Sequence, residues 1–391
     1  MDFSHVALSP EDNAFLEQTR AFVAEHVTDE VLRRDREFGE NFDEKVHLAL
    51  GEAGYLASDW KLESEGGFSP VRRRIFQLEI ARGHTPWYHW GTTSVVARLM
   101  QQFGAAELTS LVLPGVLSGD IRLCLGYTEP EGGSDVATCK TRAALDGDTW
   151  IINGSKMFTS NAQNAKYVFL LTNTDPQGPK HKNLTMFLVP LDSPGIEIQG
   201  IRTLDGDRTN IVYYSDVRVD DLYRIGEVNG GWTVMRSALD SEHGITDPED
   251  HGVQYISAMS SHGTEMADAV DKTAAMVAEA DCGGRRPLDD ESVQYRLGRS
   301  VARMEAALSA PGMFGRVAIA QTMRDISGDL MDVMGAASAL PTDTQGSADD
   351  GAAEHIFRLA LPVGIYGGSL EVFRNMIAQH ALNLGRPAYG A

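Results

Sequence analysis

Two runs decide how this chain is read: Leu125-Gly126-Tyr127-Thr128-Glu129-Pro130-Glu131-Gly132-Gly133-Ser134 and, shortly after, Ile152-Asn153-Gly154-Ser155-Lys156-Met157-Phe158-Thr159-Ser160-Asn161. In the first, two adjacent glycines sit in a polar turn, where backbone N–H groups can approach a phosphate or a ring edge closely. The second places an aromatic side chain and two hydroxyls at a strand end, able to stack on and hydrogen-bond a planar ring. Either run alone is compatible with a plain surface turn. Together they define a candidate site on a β-rich scaffold.

Working outward, the segments Thr149–Ile152, Tyr167–Leu171, Thr185–Val189 and Asn210–Val217 are short, β-branched or aromatic, and bounded by turn signals such as Asp146-Gly147-Asp148, Asn153-Gly154 and Ser193-Pro194-Gly195. They predict an antiparallel β-domain over residues 119–228. Upstream, Ser9-Pro10-Glu11-Asp12 is a helix start, with a hydroxyl cap, proline in the first turn and acids at the positive dipole end. Apolar residues then recur at helical spacing through Val46–Leu56, Ile75–Ile80 and Val95–Val112, so residues 1–118 are expected to be helical. Helical periodicity returns in Trp232–Leu239, Gln254–Val277, Val293–Val333 and His355–Leu384, predicting a helical domain over 229–391 with a polar, low-order loop at Leu340–Gly351.

Composition limits the function. The chain has 391 residues, 34 Lys+Arg and 55 Asp+Glu, a net charge of −21, and ordinary hydrophobic content of 42%. The acid excess argues against nucleic-acid binding, which needs clustered cations. No apolar run of about 18 residues predicts a membrane span. The N-terminal sequence lacks a signal-peptide pattern, and Cys124, Cys139 and Cys282 have no metal or redox spacing, so a reducing cytoplasm is expected. His84 and His89 flank the Thr85-Pro86-Trp87 turn without a ligand partner and are expected to be loop or packing residues; no metal site is predicted.

The two opening runs, together with Ile365-Tyr366-Gly367-Gly368-Ser369-Leu370-Glu371-Val372-Phe373-Arg374-Asn375 near the C-terminus, resemble the acyl-CoA dehydrogenase family over essentially the whole chain. The resemblance implies an α+β fold: N-terminal helical domain, middle β-domain and C-terminal four-helix bundle. It also implies FAD, a CoA thioester substrate and α,β-dehydrogenation, in which a carboxylate removes the α-proton and the β-hydrogen leaves as hydride to flavin N5. The flavin contacts it implies are Tyr127, Thr128, Gly133, Ser134, Phe158 and Ser160, with Tyr366, Gly368, Ser369 and Glu371 from the closing motif. Phe158 stands where the family usually has a stacking tryptophan, and Ser160 where it has a threonine; an aromatic face and a hydroxyl are kept.

In many members the catalytic glutamate follows the tyrosine of the closing motif, where this chain has Gly367. A second subset carries its base on an earlier helix, in a Leu-Asp-x-Glu-Arg pattern. Leu239-Asp240-Ser241-Glu242-His243 matches it, so the resemblance makes Glu242 the base and puts Asp240 and His243, with Ser134, beside the substrate. Gly367 would contribute its backbone N–H to the thioester carbonyl and leave room for a bulky, branched or steroid side chain. The family's Arg-x-x-Phe-Gly and Gln-x-x-Gly-Gly segments, which hold FAD across a dimer, are replaced by Gly283-Gly284-Arg285-Arg286-Pro287-Leu288-Asp289-Asp290 and Asp332-Val333-Met334-Gly335-Ala336. Carboxylates facing a pyrophosphate are repulsive. The expectation is therefore an α2β2 heterotetramer with a homologous subunit that supplies the missing half, in preference to a homotetramer, with an electron-transferring flavoprotein as acceptor. A same-fold flavin oxidase or monooxygenase, and a non-catalytic subunit that supports FAD for another chain, are the alternatives.

Overall fold

The computed structural model describes residues 7–242, 258–279 and 284–385, with side chains for all of these except 240–242 and 258–261. They fall into two compact units, the first ending at Glu242 and the second beginning at Ala258 among the described residues.

The first unit opens with seven helices: α1 (Pro10–His26), α2 (Asp29–Phe38), α3 (Glu44–Glu52), α4 (Tyr55–Trp60), α5 (Pro70–Arg82), α6 (His89–Phe103) and α7 (Ala106–Ser118). Their starts are written locally: Ser9, Thr28, Asp43 and Ser69 each accept a backbone N–H of the first turn, and Pro10 and Pro70 sit where no intrahelical donor is needed. An aromatic group of Phe15, Phe22, Tyr55, Phe68, Phe76 and Trp87 packs between α1, α4 and α5, mostly edge-on, with Tyr55 and Phe76 tilted at 33°.

An eight-stranded sheet follows: β1 (Leu123–Gly126), β2 (Arg142–Asp146), β3 (Thr149–Lys156), β4 (Tyr167–Asn173), β5 (Leu184–Pro190), β6 (Ile196–Arg202), β7 (Arg208–Asp220) and β8 (Arg224–Ile225). The strand order is β6-β7-β3-β2-β4-β5-β8, with β1 joined to β4. Pairing is mostly antiparallel, as expected, but β1 runs parallel to β4, and β2 meets β4 in parallel at Arg142 and Asn173. The long segment between β1 and β2 is the cause: it lets β1 lie beside β4 instead of folding back as a hairpin. β4 and β5 are buried on both faces, which is why their sequences are continuous apolar runs without alternation. One face packs on Trp90, Leu99 and Met100 of α6; the other closes over Trp150, Ile152, Phe187 and Val219. Helix α8 (Gly231–Glu242) packs on α6 and β5.

The second unit is a bundle of four helices, α9 (Ala258–Ala278), α10 (Glu291–Leu308), α11 (Gly312–Met334) and α12 (Ala352–Val363), followed by α13 (Leu370–Met376) and a π-turn at Ile377–Ala381. Two periodic stretches of the sequence are each divided, at Ser309-Ala310-Pro311 and at the Gly364–Ser369 turn, because proline and paired glycines end helices there. The Leu340–Gly351 segment is irregular but seated: Ala348 and Gly351 are buried, and Asp349 accepts the Ala353 N–H.

Candidate active site

The Tyr127–Ser134 turn leaves β1 and closes on itself through reciprocal Glu129 and Gly132 backbone hydrogen bonds of 3.1 Å. At Gly132 a Cβ would come within 2.4 Å of the Thr138 hydroxyl, so a side chain there would displace that group. At Gly133 a Cβ would meet nothing nearer than a Thr128 methyl at 3.6 Å, so that backbone borders open space. Beneath the turn lies a buried ion pair that the motifs contained but whose role sequence reading missed. The fully buried Lys156 places Nζ 2.8 Å from Glu129 Oε1, 3.2 Å from the Tyr127 carbonyl and 3.3 Å from Cys139 Sγ. Glu129 also accepts the Lys140 and Thr141 N–H groups at 2.6 and 2.8 Å. Burial pushes its pKa up, but the Lys156 ammonium and these donors prevail and hold it at about 2. The signal was available: Trp150, Ile152 and Lys156 share the inward face of β3, and a lysine on a buried face demands a carboxylate.

The end of β3 is tied to this turn by the Met157 N–H, which donates to the Thr128 carbonyl at 2.9 Å. Phe158 and Asn161 then adopt left-handed backbone, with φ of 59° and 64°, a geometry that asparagine takes readily but an aromatic residue rarely. The turn is fixed from β7: Asn210 accepts the Thr159 N–H and returns its amide to the Thr159 carbonyl, both at 2.9 Å, while Ser160 Oγ lies 3.0 Å from Thr209 Oγ1. Phe158 is thereby held outward and is 54% exposed, unusual for an aromatic residue. The Thr128 N–H and hydroxyl have no partner among the described residues. An outward ring, the Ser160 hydroxyl, the Thr128 donors and the open Gly133 backbone fit a flat heteroaromatic ring with a hydrogen-bonding edge. Tyr127 is half-buried against Phe169, and Ser134 is exposed at the rim.

The second unit carries the Tyr366–Ser369 turn. Gly367 and Gly368 have φ of 59° and 92°, where glycine is favoured. Ser369 caps α13 by accepting the Val372 N–H at 3.3 Å, which leaves Glu371 exposed in the first helical turn. Arg316 of α11, a buried arginine that sequence reading did not single out, donates through Nη2 to the carbonyls of Val363, Tyr366 and Gly368 at 3.0, 2.6 and 3.4 Å. Its place on the stripe of Ile319, Ala320 and Met323 was the clue. The Tyr366 hydroxyl lies 2.6 Å from His262 Nε2, and His262 Nδ1 lies 3.1 Å from Glu265. Exposed Gly367 presents an N–H that donates to no acceptor among the described residues.

Glu242 ends α8 and Asp240 lies one residue pair before it, but the side chains of both lie outside the described residues, as does all of His243. Asp290 caps α10, Asp289 pairs with Arg286 at 2.6 Å, and Asp332 pairs with Arg296 at 2.7 Å. A shallow groove of about 470 Å³ at these helix ends is lined by Asp290, Arg296 and Asp332, a poor receptor for a pyrophosphate. Arg374 is a surface residue that reaches Gln321. His89 is buried and lies 2.9 Å from the Glu40 carbonyl. Among the described residues no cluster of His, Cys, Asp and Glu could hold a metal ion, and no helix is long and apolar enough to cross a membrane.

Comparison with known proteins identifies the family. Residues 9–120 match the acyl-CoA dehydrogenase N-terminal domain and residues 124–221 the acyl-CoA dehydrogenase middle domain. Acyl-CoA dehydrogenase FadE26 of Mycobacterium tuberculosis is 30% identical over 97% of this chain and 99% of its own length. Acyl-CoA dehydrogenase IpdE1 of the same organism is 33% identical over 87% of this chain and 88% of its own. Among solved structures, the Tcur3481–Tcur3483 steroid acyl-CoA dehydrogenase superposes with a TM-score of 0.84 at 28% identity, covering 99% of this chain and all of that one. The ChsE4–ChsE5 complex from Mycobacterium tuberculosis superposes with a TM-score of 0.82 at 28% identity, over 98% of this chain and all of that one. The chain belongs to the acyl-CoA dehydrogenase family of FAD-dependent oxidoreductases.

Proposed function

We propose that this chain is the base-bearing subunit of a heteromeric acyl-CoA dehydrogenase acting on a bulky, branched or steroid side-chain thioester. The observation that carries the proposal is the Gly367 turn: the position lacks a side chain, while its exposed N–H has no acceptor among the described residues. A position that cannot remove a proton can still donate to a thioester carbonyl, and it leaves volume for a large acyl group.

When bound, FAD supplies the two-electron acceptor for the β-hydrogen. Phe158 would cover a ring face, with Thr128, Ser160 and the Gly133 backbone at its polar edges. The Gly367 N–H polarises the thioester carbonyl and lowers the pKa of the α-proton. The Glu242 carboxylate takes that proton as the α-C–H bond breaks, and the electron pair moves toward the carbonyl carbon. Asp240, His243 and Ser134 would border the substrate, and Tyr366, Gly368, Ser369 and Glu371 would complete the cofactor's surroundings.

The heteromeric part is supported by Asp289, Asp290 and Asp332, which are engaged within the chain at the helix ends where a self-sufficient homologue would lend phosphate-holding groups. It is also supported by similarity to two-component complexes, one of them described as a steroid enzyme. A homologous subunit would supply the missing half in an α2β2 assembly, an electron-transferring flavoprotein would reoxidise the cofactor, and the enzyme would work in the cytoplasm.

The test is Glu242→Gln in the complex co-expressed with its homologous partner. Turnover of a steroid side-chain acyl-CoA should fall by roughly 10²- to 10⁴-fold with FAD content retained. Unchanged turnover would move the chemistry to the partner. A homotetramer of this chain alone, fully loaded with FAD, would overturn the heteromeric assignment.

A further inference from the structure

We infer that Arg316 is the positioning residue that aims the Gly367 N–H, and that the His262–Tyr366 pair pins the same turn from its other side. This rests on the proposed role of Gly367 and goes beyond it, since it assigns the orientation of that donor to side chains far along the sequence.

The Tyr366–Gly367 peptide is trans, so its C=O and N–H point in opposite directions. Arg316 Nη2 takes the Tyr366 carbonyl at 2.6 Å and thereby fixes the Gly367 N–H away from the guanidinium. The same nitrogen holds the Val363 carbonyl, which ends α12, and more loosely the Gly368 carbonyl, which precedes the Ser369 cap. One cation thus gathers the carbonyl side of the turn and leaves its donor side exposed. The guanidinium is itself located: it is buried, and its carbon stands 5.3 Å from the centroid of the Phe373 ring.

The second fastening acts on the Tyr366 side chain. Its hydroxyl meets His262 Nε2 at 2.6 Å, and Glu265 at 3.1 Å orients the other ring nitrogen. Two glycines give this turn backbone freedom, and freedom in a donor that must meet a developing oxyanion reduces its effect. The paired restraints remove that freedom without placing a side chain in the substrate's space.

The experiment compares wild type, Arg316→Met, Arg316→Lys and Tyr366→Phe in the complex co-expressed with a homologous acyl-CoA dehydrogenase chain. FAD content, kcat, KM and α-deuterium washout are measured with a steroid side-chain acyl-CoA. Arg316→Met should lower kcat and washout together by about 10- to 100-fold, with KM within a few-fold and FAD content unchanged. Arg316→Lys, which can still donate to one or two carbonyls, should recover part of the loss. Tyr366→Phe, a milder change in case Arg316→Met does not assemble, should lower kcat by a few-fold. An active wild type with unchanged kcat in Arg316→Lys and Tyr366→Phe overturns this inference alone, as does a loss in Arg316→Met that follows only its loss of FAD. A wild type that shows no α-deuterium washout overturns the proposed function and this inference together.

Discussion

The Glu129–Gly133 turn rests on a carboxylate and an ammonium that neutralise one another under its backbone, whereas the Tyr366–Ser369 turn rests on a guanidinium that gathers three backbone carbonyls. Both turns carry adjacent glycines, and both lie in motifs of the same family. The first is stiffened by matched full charges in a dry interior, so its integrity is bound up with the folding of the whole first unit. The second is stiffened by a charge interacting with dipoles at the bundle's edge, so it can be loosened while the core of Met266, Met323, Ile326 and Ile356 persists. Mutating the first should therefore be read in stability, and mutating the second in catalysis.

The sharpest way to break this contrast is Lys156→Met or Glu129→Gln alone. Either leaves an uncompensated buried group and should destabilise the protein by about 3–5 kcal/mol in urea denaturation, with loss of FAD. The double replacement should recover a large part of that loss, because no buried charge is then left unpaired. Single variants with wild-type midpoints would mean that water reaches the pair and that the two turns are held in similar ways.

The pH dependence of the first unit tests the same point with weaker perturbations. Burial lowers the pKa of His47, beside Arg122, and of His89 to about 4, whereas burial raises Asp35 to about 6 and raises Asp59 as well. The unfolded chain binds protons on the histidines below about pH 6.5 and the folded chain only near pH 4, so their contribution, on the order of 2–3 kcal/mol each, is lost as pH falls between those values. The two aspartates act in reverse: their stabilisation is complete at low pH and is lost as pH rises through their folded pKa. His47→Leu should flatten the rise in stability between pH 5 and 7, at no hydrogen-bond cost because neither ring nitrogen has a partner among the described residues. Asp35→Asn should steepen it. Urea midpoints at the two pH values distinguish these outcomes.

A smaller effect is expected at the exposed Phe158 ring. Phe158→Ala should weaken FAD retention by roughly 3- to 10-fold while leaving the denaturation midpoint of the unloaded chain near wild type. Phe158→Trp should restore it. An Ala variant that retains FAD as well as wild type would remove Phe158 from the cofactor surface. The smallest effect belongs to Asp332→Ala: both partners of its pair with Arg296 are at the surface, so stability should stay within measurement error. FAD loading of the chain without its partner should rise if this carboxylate is what repels the pyrophosphate.

How far the sequence reached can be judged at particular residues. Ser9-Pro10 and Ser69-Pro70 begin helices by purely local chemistry, and the apolar runs of β4 and β5 mark strands covered on both faces. The parallel placement of β1 on β4 was not legible, because it depends on where a long connection lays the strand down rather than on the strand itself. At the site, Phe158, Ser160, Thr128 and Gly133 were found because motif spacing keeps them together. The left-handed backbone that turns Phe158 outward was not, since Asn210 and Thr209 impose it from β7.

The amino-acid sequence by itself determined the helical–β–helical order, the grouping of Thr128, Gly133, Phe158 and Ser160 in two neighbouring motifs, and the lack of a side chain at Gly367. These are matters of residue type and spacing, carried by covalent order. Only the tertiary structure decided that Glu129 and Lys156 share one buried charge balance, that Asp332 is engaged by Arg296, and that Arg316 and His262 converge on Tyr366. The physical reason is the same in each case: a charge or donor must find its partner wherever folding brings one within about 3 Å, and that distance is set by packing, not by position along the chain.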